Sequence, residues 1–456
     1  MSAIQPPAIT VAGFERAAVG NRDGFAFTPE FWEQFAARHW EKTPLLIKQP
    51  FASHLASEAE LFGALVEASE QYRSEGIKLR PPYNRSIKLR FCIEHSVLMT
   101  DIEKHLPDAG DKSLEGYLGR IERRLDGREF ELIINQLQSY NFQMWSRLRM
   151  FFRGLYKLVG IPTENADAAI FIRNQKRTGF GLHKDKASVF MFVLKGRKRM
   201  LLWPYEVFKA TTDTIVSTLD YRQYVGDALV LEGGPGDVIY WPSGYWHIGE
   251  SDGELSASIS VGLRMNYPPF ADVIKHVTRM VERQLGESGQ SDLYSFQPDG
   301  LQQTAATLPR DIDVALRAVR EASCDRGLEQ TLKLAWLNRV TGYGFASVPG
   351  PRPTRTLADD EIICGQPEYP VVYMPMDGEV VACSANGHSF TMRAAPNLEK
   401  LIDCLNTGIP RQVGTLLAEL ASTTETADRE FLRRVLEKLH TLRAVELITP
   451  KETERG

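Results

Sequence analysis

Between residues 167 and 263 the apolar residues come in short runs, and the runs are separated by turn-forming residues. The runs are Ala168–Ile172, Ser188–Leu194, Arg199–Trp203, Ala228–Leu231, Asp237–Trp241 and Leu255–Leu263. Each has the length of a buried strand, and the breaks between them are rich in Gly and Pro. Many short strands joined by tight turns predict a β-sandwich or jelly roll. A closed double sheet also offers a rigid mouth on which side chains from different strands can converge.

The flanking sequence reads differently. Residues 28–70 carry a helical pattern: Thr28-Pro29-Glu30 is a helix start, with Thr at the cap and Pro at the first position. Phe31, Phe35 and Trp40 follow at helical spacing, and Pro44-Leu45-Leu46-Ile47 reads as a short buried strand. Ile77-Lys78-Leu79-Arg80 recurs as Ile87-Lys88-Leu89-Arg90 around Pro81-Pro82, which predicts two strands about a turn. Residues 113–160 read as helix, with Leu132, Leu137, Trp145, Leu148 and Phe152 as core candidates. After Pro268 the pattern is helical to about residue 340, and residues 349–358 form a breaker-rich linker. The last stretch is mixed. Strands are expected near 371–375, 379–383 and 444–448, and helices near 397–406, 412–421 and 428–442.

At 456 residues the chain is long enough for two or three cores. Its net charge of -4 gives no whole-chain case for binding nucleic acid or an acidic membrane. No run of eighteen apolar residues is present, so no membrane helix is expected. The start, Met-Ser-Ala-Ile-Gln-Pro-Pro, lacks the pattern of a signal peptide. The five cysteines are scattered and form no Cys-x-x-Cys pair. A cytoplasmic protein with reduced thiols is the expectation.

Two segments inside the strand-rich region carry chemistry. Gly181-Leu182-His183-Lys184-Asp185 offers His-x-Asp, and on a strand that spacing places both side chains on one face. Gly236-Asp237-Val238-Ile239-Tyr240-Trp241-Pro242 runs on through Ser243-Gly244-Tyr245 to Trp246-His247 and offers a second imidazole. The third ligand is expected from a distant strand that meets the first across the barrel mouth. Two imidazoles and one carboxylate, His183, Asp185 and His247, form a set that holds Fe(II) on one face and leaves other positions open. Zinc accepts the same donors, and spacing does not separate the two metals. Tyr240 and Trp246 flank the third ligand, where core packing is the simpler role for both.

These stretches resemble the JmjC-type, cupin-like oxygenases that use Fe(II) and 2-oxoglutarate. Within that group they are most similar to the protein hydroxylases, the asparaginyl hydroxylase of the hypoxia pathway and the ribosomal oxygenases. The likeness rests on His183-Lys184-Asp185 followed by Val189 to Arg199, on Gly236 to His247, and on Phe31-Trp32 leading to Trp40 through Ile47. It covers roughly residues 28–265. The resemblance implies a mainly β catalytic core, a double-stranded β-helix or jelly roll with flanking helices. It further implies a helical segment and a mixed α/β, winged-helix-like C-terminal module. The boundaries expected are 1–270 for the catalytic domain with its N-terminal helices, 271–348 for a helical dimerisation segment, and 359–456 for the last module. A homodimer is expected on the same basis.

The resemblance also implies a basic residue that pairs with the distal carboxylate of the cosubstrate 2-oxoglutarate. Lys198 stands in that place, with Arg197 and Arg199 as neighbouring alternatives. A buried carboxylate needs such a partner. Asn174 stands where ribosomal oxygenases carry a small polar residue near the same carboxylate. Two positions depart from the asparaginyl hydroxylase: Phe180 replaces its Thr, and Gly262 replaces its Asn on the last strand.

The implied activity is hydroxylation of a C–H bond, first on a peptide or protein side chain. A small metabolite is the second reading. Removal of an N-methyl group and a non-catalytic cupin-like binding role are others. Arg73, Lys78, Arg80, Arg85, Lys88 and Arg90, with Arg173, Lys176, Arg177, Lys184 and Lys186, are candidates for a basic rim that attracts an acidic partner. Residues 391–456 hold ten Lys/Arg and ten Asp/Glu, which argues against direct nucleic-acid binding by the last module.

Overall fold

In a computed structural model the described residues are 27–50, 55–75, 89–94, 96–98, 100–176, 181–208, 215–216, 221–265, 267–286, 310–395, 397–421 and 426–448. The chain divides into two compact units. One runs to Met265 and takes in Gly344–Gly350; the other comprises Asn266–Tyr343 and Pro351–Gly456.

The first unit opens with helix α1 (Pro29–Arg38), whose start follows the sequence: Thr28 Oγ1 accepts from Phe31 N at 3.3 Å. Strand β1 (Leu45–Ile47) follows, then α2 (Glu58–Glu75), β2 (Leu89–Ile93), β3 (Ser96–Val97), α3 (Leu114–Leu125), β4 (Phe130–Asn135) and α4 (Phe142–Val159). Residues 28–70 hold two helices with the expected strand at Leu45–Ile47 between them. One expectation is corrected: residues 113–160 are two helices separated by β4, which holds Leu132. In β4 the run Leu132-Ile133-Ile134 is buried on both sides, so it shows no alternation, and a short apolar run of this kind is ambiguous between helix and strand. Most of the Ile77–Arg90 repeat lies outside the described residues. Its end belongs to β2, which pairs with β3 and β4.

The unit continues through β5 (Asn165–Arg173), β6 (Leu182–Lys184), β7 (Ala187–Lys195), β8 (Lys198–Trp203), β9 (Ile215–Val216), β10 (Leu229–Gly233), β11 (Val238–Trp241), β12 (Trp246–Glu250) and β13 (Ser256–Arg264). These make two antiparallel sheets. The larger has the order β1-β11-β7-β13-β5-β4-β2-β3, and the smaller β10-β8-β12-β6-β9. Together they form the jelly roll that the short-strand pattern predicts, the double-stranded β-helix that the resemblance implies.

Strand alternation decides which residues can act. On β5, Ala166, Ala168, Ile170 and Ile172 are buried, while Asp167, Ala169, Phe171 and Arg173 line a cavity between the sheets. On β7, Val189 and Met191 face that cavity. Phe190 and Phe192 point the other way and pack edge-on to Phe152 and Phe151 of α4, with centroids 5.2 and 5.1 Å apart. The aromatic layer under the larger sheet holds it rigid and leaves its inner face for chemistry.

The second unit contains α5 (Pro269–Leu285), α6 (Arg310–Cys324), α7 (Arg326–Thr341), β14 (Ile362–Gly365), β15 (Val372–Pro375), β16 (Val380–Ala385), β17 (His388–Arg393), α8 (Leu398–Asn406), β18 (Arg411–Gln412), α9 (Val413–Leu420), α10 (Thr426–Thr441) and β19 (Val445–Ile448). Its strands form two three-stranded sheets, β18-β14-β19 and β15-β16-β17. Leu401, Leu405, Leu417, Leu436 and Leu439 lie in one buried cluster with Ile363 and Val445. Among the described residues no helix is long and apolar enough to cross a membrane.

Candidate metal centre and anion pocket

His183 and His247 lie directly opposite each other on β6 and β12, which pair antiparallel. The third candidate ligand therefore comes from the adjacent strand, not from across the mouth. Asp185 sits one residue past the end of β6, so the His-x-Asp pair spans a strand end. The ligand atoms of His183, Asp185 and His247 all lie within 4.8 Å of one another. His247 Nε2 is 3.6 Å from Asp185 Oδ2.

Backbone carbonyls select the tautomer of both rings. His183 Nδ1 is 2.9 Å from the Gly181 carbonyl, and His247 Nδ1 is 3.0 Å from the Tyr245 carbonyl. A carbonyl only accepts, so each Nδ1 carries the proton and each ring presents its lone pair at Nε2. Burial, and next the adjacent His183, hold the pKa of His247 down to about 4, against the opposing pull of Asp185. The ring is neutral at physiological pH, as a metal ligand must be. The donor set, its tautomers and its spacing fit one divalent ion of the two-His, one-carboxylate type.

The turn leading to His247 is fixed by residues with no direct part in the site. Asp237 accepts from Gln49 N at 3.1 Å and Gly234 N at 2.8 Å, and its Oδ2 pairs with Lys48 Nζ at 2.8 Å. Gly244 takes φ 79°, a left-handed conformation that suits Gly, and its N–H reaches the Asp185 carbonyl at 3.1 Å. Tyr240 is a packing residue: its hydroxyl accepts from Glu41 N at 3.0 Å and its ring meets Phe35 at 4.8 Å. Trp246 is buried beneath Lys184, whose Nζ lies 4.8 Å from its ring and 4.7 Å from that of Tyr205.

The three candidate ligands line a cavity of about 320 Å³ between the two sheets. Lys198 lines the same cavity and is 1% exposed. It sits four positions along β8 from Leu202, the register partner of His247, or roughly 13 Å at about 3.3 Å per residue. Its neighbours point outward: Arg197 pairs with Glu232, and Arg199 pairs with Glu232 at 3.1 Å and Glu250 at 2.6 Å. Alternation thus turns Lys198 inward and its two neighbours outward. Burial, and next Arg173, push the Lys198 amine well below the usual lysine range, while Glu131 opposes them.

Asn174 goes elsewhere. Its Oδ1 accepts from Phe130 N at 2.7 Å and ties the end of β5 to β4, and it is not among the residues lining the cavity. Phe180 lies outside the described residues. Gly262 lines the cavity on β13, where a Cβ would meet that of Ala187 at 3.3 Å.

Several cavity residues escape sequence reading. Arg173, placed above in a basic rim, is 4% exposed and 3.5 Å from the buried Glu131. Trp241 and Ser258 line the cavity, and Trp241 Nε1 and Ser258 Oγ are buried with no hydrogen-bond partner among the described residues. Asp167 lies on β5 near the opposite end of that strand from Arg173. Burial raises its pKa to about 6, against Arg264 and a hydrogen bond from Gln138. The two buried cations Arg173 and Lys198, with two unsatisfied donors in the same cavity, fit a small anion rich in acceptors.

Residues 156–270 match the family model of the JmjC domain, so the chain carries a JmjC domain, and all three candidate metal ligands fall inside it. No curated protein matched the chain in sequence. Among solved structures, it is similar to the ribosomal oxygenase YcfD from Escherichia coli, with 18% identity, 93% of this chain and 99% of that chain covered, and a TM-score of 0.45. The complex of YcfD with cobalt and 2-oxoglutarate gives 17% identity, the same coverage and a TM-score of 0.45. An oxalate decarboxylase variant from Bacillus subtilis is 16% identical over 31% of this chain and 27% of that chain, with a TM-score of 0.18.

Proposed function

We propose that this protein is an Fe(II)- and 2-oxoglutarate-dependent dioxygenase that hydroxylates a C–H bond, with a peptide or protein side chain as its substrate. One observation carries the reading: the His183, Asp185 and His247 cluster opens into the same cavity that buries Lys198. A structural zinc site would close its coordination sphere with protein ligands and would need no anion pocket. A metal beside a buried cation is what a chelating 2-oxo diacid requires.

Iron(II) held by the three ligands supplies activation of dioxygen, with 2-oxoglutarate consumed as the co-reductant. The protein does the rest by placement. His183 and His247 each present Nε2 because their Nδ1 protons are committed to backbone carbonyls. Lys198 receives the distal carboxylate, and Val189, Met191 and Met200 line the walls and limit water. Asp185 is the exposed edge of the site, with its side chain 47% accessible against 4% for His247. The metal therefore faces an open mouth, which supports a macromolecular substrate presented from outside.

The test is turnover of 2-oxoglutarate by the iron-loaded protein, with and without peptide pools, read by mass spectrometry. Succinate formation stimulated by peptides, with a mass gain of one oxygen on a peptide, is the expected result. Stimulation by small metabolites alone would move the substrate class. A zinc-loaded protein with no iron-dependent turnover would remove the oxygenase reading.

A further inference from the structure

We propose that Arg173 is a second anchor for the distal carboxylate of the cosubstrate, and that Glu131 behind it tunes the charge of that end of the cavity. This rests on the 2-oxoglutarate reading above and adds residues that the motifs do not contain. Arg173 lies on β5 and Glu131 is its register partner on β4. Arg173, Glu131 and Lys198 are 4%, 1% and 1% exposed, and Arg173 and Lys198 both line the cavity. With the Lys198 amine protonated, the charge count there is two cations against one carboxylate. Interior charge is tolerated when it is matched, and a single ligand carboxylate makes the count even.

A second observation points the same way. Ser258, 1% exposed, faces the cavity from β13 opposite Phe171, two residues from Arg173. Its Oγ has no hydrogen-bond partner among the described residues. A carboxylate has two oxygens and about four lone-pair directions. An ammonium, a planar guanidinium and a hydroxyl together can satisfy them, and a guanidinium fixes the carboxylate plane in a way that an ammonium alone does not. The arrangement selects a 2-oxo acid with a second carboxylate over one without.

Calorimetric titration of the manganese(II)-loaded protein separates this role from a structural one, using 2-oxoglutarate and 2-oxopentanoate, which has the same chain length and no distal carboxylate. Arg173→Met should weaken 2-oxoglutarate by about tenfold or more and leave 2-oxopentanoate within about twofold, since only the former loses a charge-assisted pair. Glu131→Gln alone should tighten 2-oxoglutarate. The decisive variant is Arg173→Met with Glu131→Gln, which removes the internal pair together. The loss for 2-oxoglutarate should persist; a return to wild-type affinity would make Arg173 only the partner of Glu131 and overturn the proposal. Equal losses for both ligands would also overturn it. Should thermal melting show that the Met variants do not fold, Arg173→Lys serves instead. Retained preference for the diacid is expected, and an equal loss for both acids refutes the proposal. Failure of the wild-type protein to bind 2-oxoglutarate at all would be a failure of the functional reading itself.

Discussion

His183 and His247 are register partners on neighbouring antiparallel strands, with ring centroids 4.2 Å apart. Sixty-four residues of chain separate them, yet one ladder rung sets their spacing. The two imidazoles are thus positioned by sheet hydrogen bonding, and only Asp185 depends on the loop after β6.

That division predicts how the ligands fail. Asp185→Ala should abolish iron retention and succinate formation while the fold persists, because Asp185 is half-exposed past a strand end. Metal content after dialysis and circular dichroism are the measurements. Full turnover in this variant would remove the proposed ligand set.

Lys198 gives a pH prediction. Without a carboxylate partner its pKa lies well below the usual lysine value, through burial and Arg173. A bound carboxylate favours the charged amine and raises that pKa. Between the two values binding takes up a proton, so 2-oxoglutarate affinity should fall as pH rises through that window. Calorimetry in buffers of different ionisation heat should show proton uptake. Lys198→Arg, which stays charged, should flatten the profile, and Lys198→Ala should cost roughly 2–5 kcal/mol of binding. A pH-independent wild-type affinity would refute this role for the amine.

Asp167 bears on stability. Its folded pKa of about 6 exceeds the ordinary value of 3.8 because burial penalises the carboxylate. Between these values the folded state binds more protons than the unfolded state, so this group lowers stability as pH rises through the window. Asp167→Asn should therefore raise the melting temperature at pH 7.5, by a free energy of roughly 3 kcal/mol, and the gain should shrink towards pH 4. The Gln138 amide can still donate to the Asn carbonyl. Equal gains at both pH values would show that desolvation of the charge is not the cause.

The sequence displays the candidate metal ligands because they sit in compact motifs whose spacing carries chemical meaning. Lys198 is legible only through the family resemblance, which leaves Arg197 and Arg199 open; the phase of β8 then turns Lys198 inward. The sequence hides Arg173 and Glu131, since their meeting depends on the register of β4 against β5, and β4 itself looks helical in a segment with no alternation. Arg173 also misleads through its neighbours: Lys176 and Arg177 follow closely, and charge in a cluster reads as a surface. Asn174 shows the converse error, a polar residue one position out of phase with the cavity-facing side of β5. The last module is legible in its longer helices, whereas β14 and the two-residue β18 are not, because these short strands take their identity from partners far along the chain; β17, the second arm of a hairpin with β16, is not legible either.

The support of the larger sheet offers a final test at Gly154, in the middle of α4. A Gly at a helix interior costs about 1 kcal/mol relative to Ala, so Gly154→Ala ought to stabilise an exposed helix. Here a Cβ would overlap ring atoms Cδ1 and Nε1 of Trp32. Trp32 is 3% exposed and packs edge-on against Phe151 at 5.3 Å, so it has little room to retreat. Overpacking of a filled core costs about 1–3 kcal/mol or more, which outweighs the propensity gain. The variant should melt at lower temperature, and Gly154→Ala with Trp32→Phe should recover part of the loss by making room. An unchanged or raised melting temperature for the single variant would mean that α1 and α4 can separate without cost, contrary to their aromatic packing.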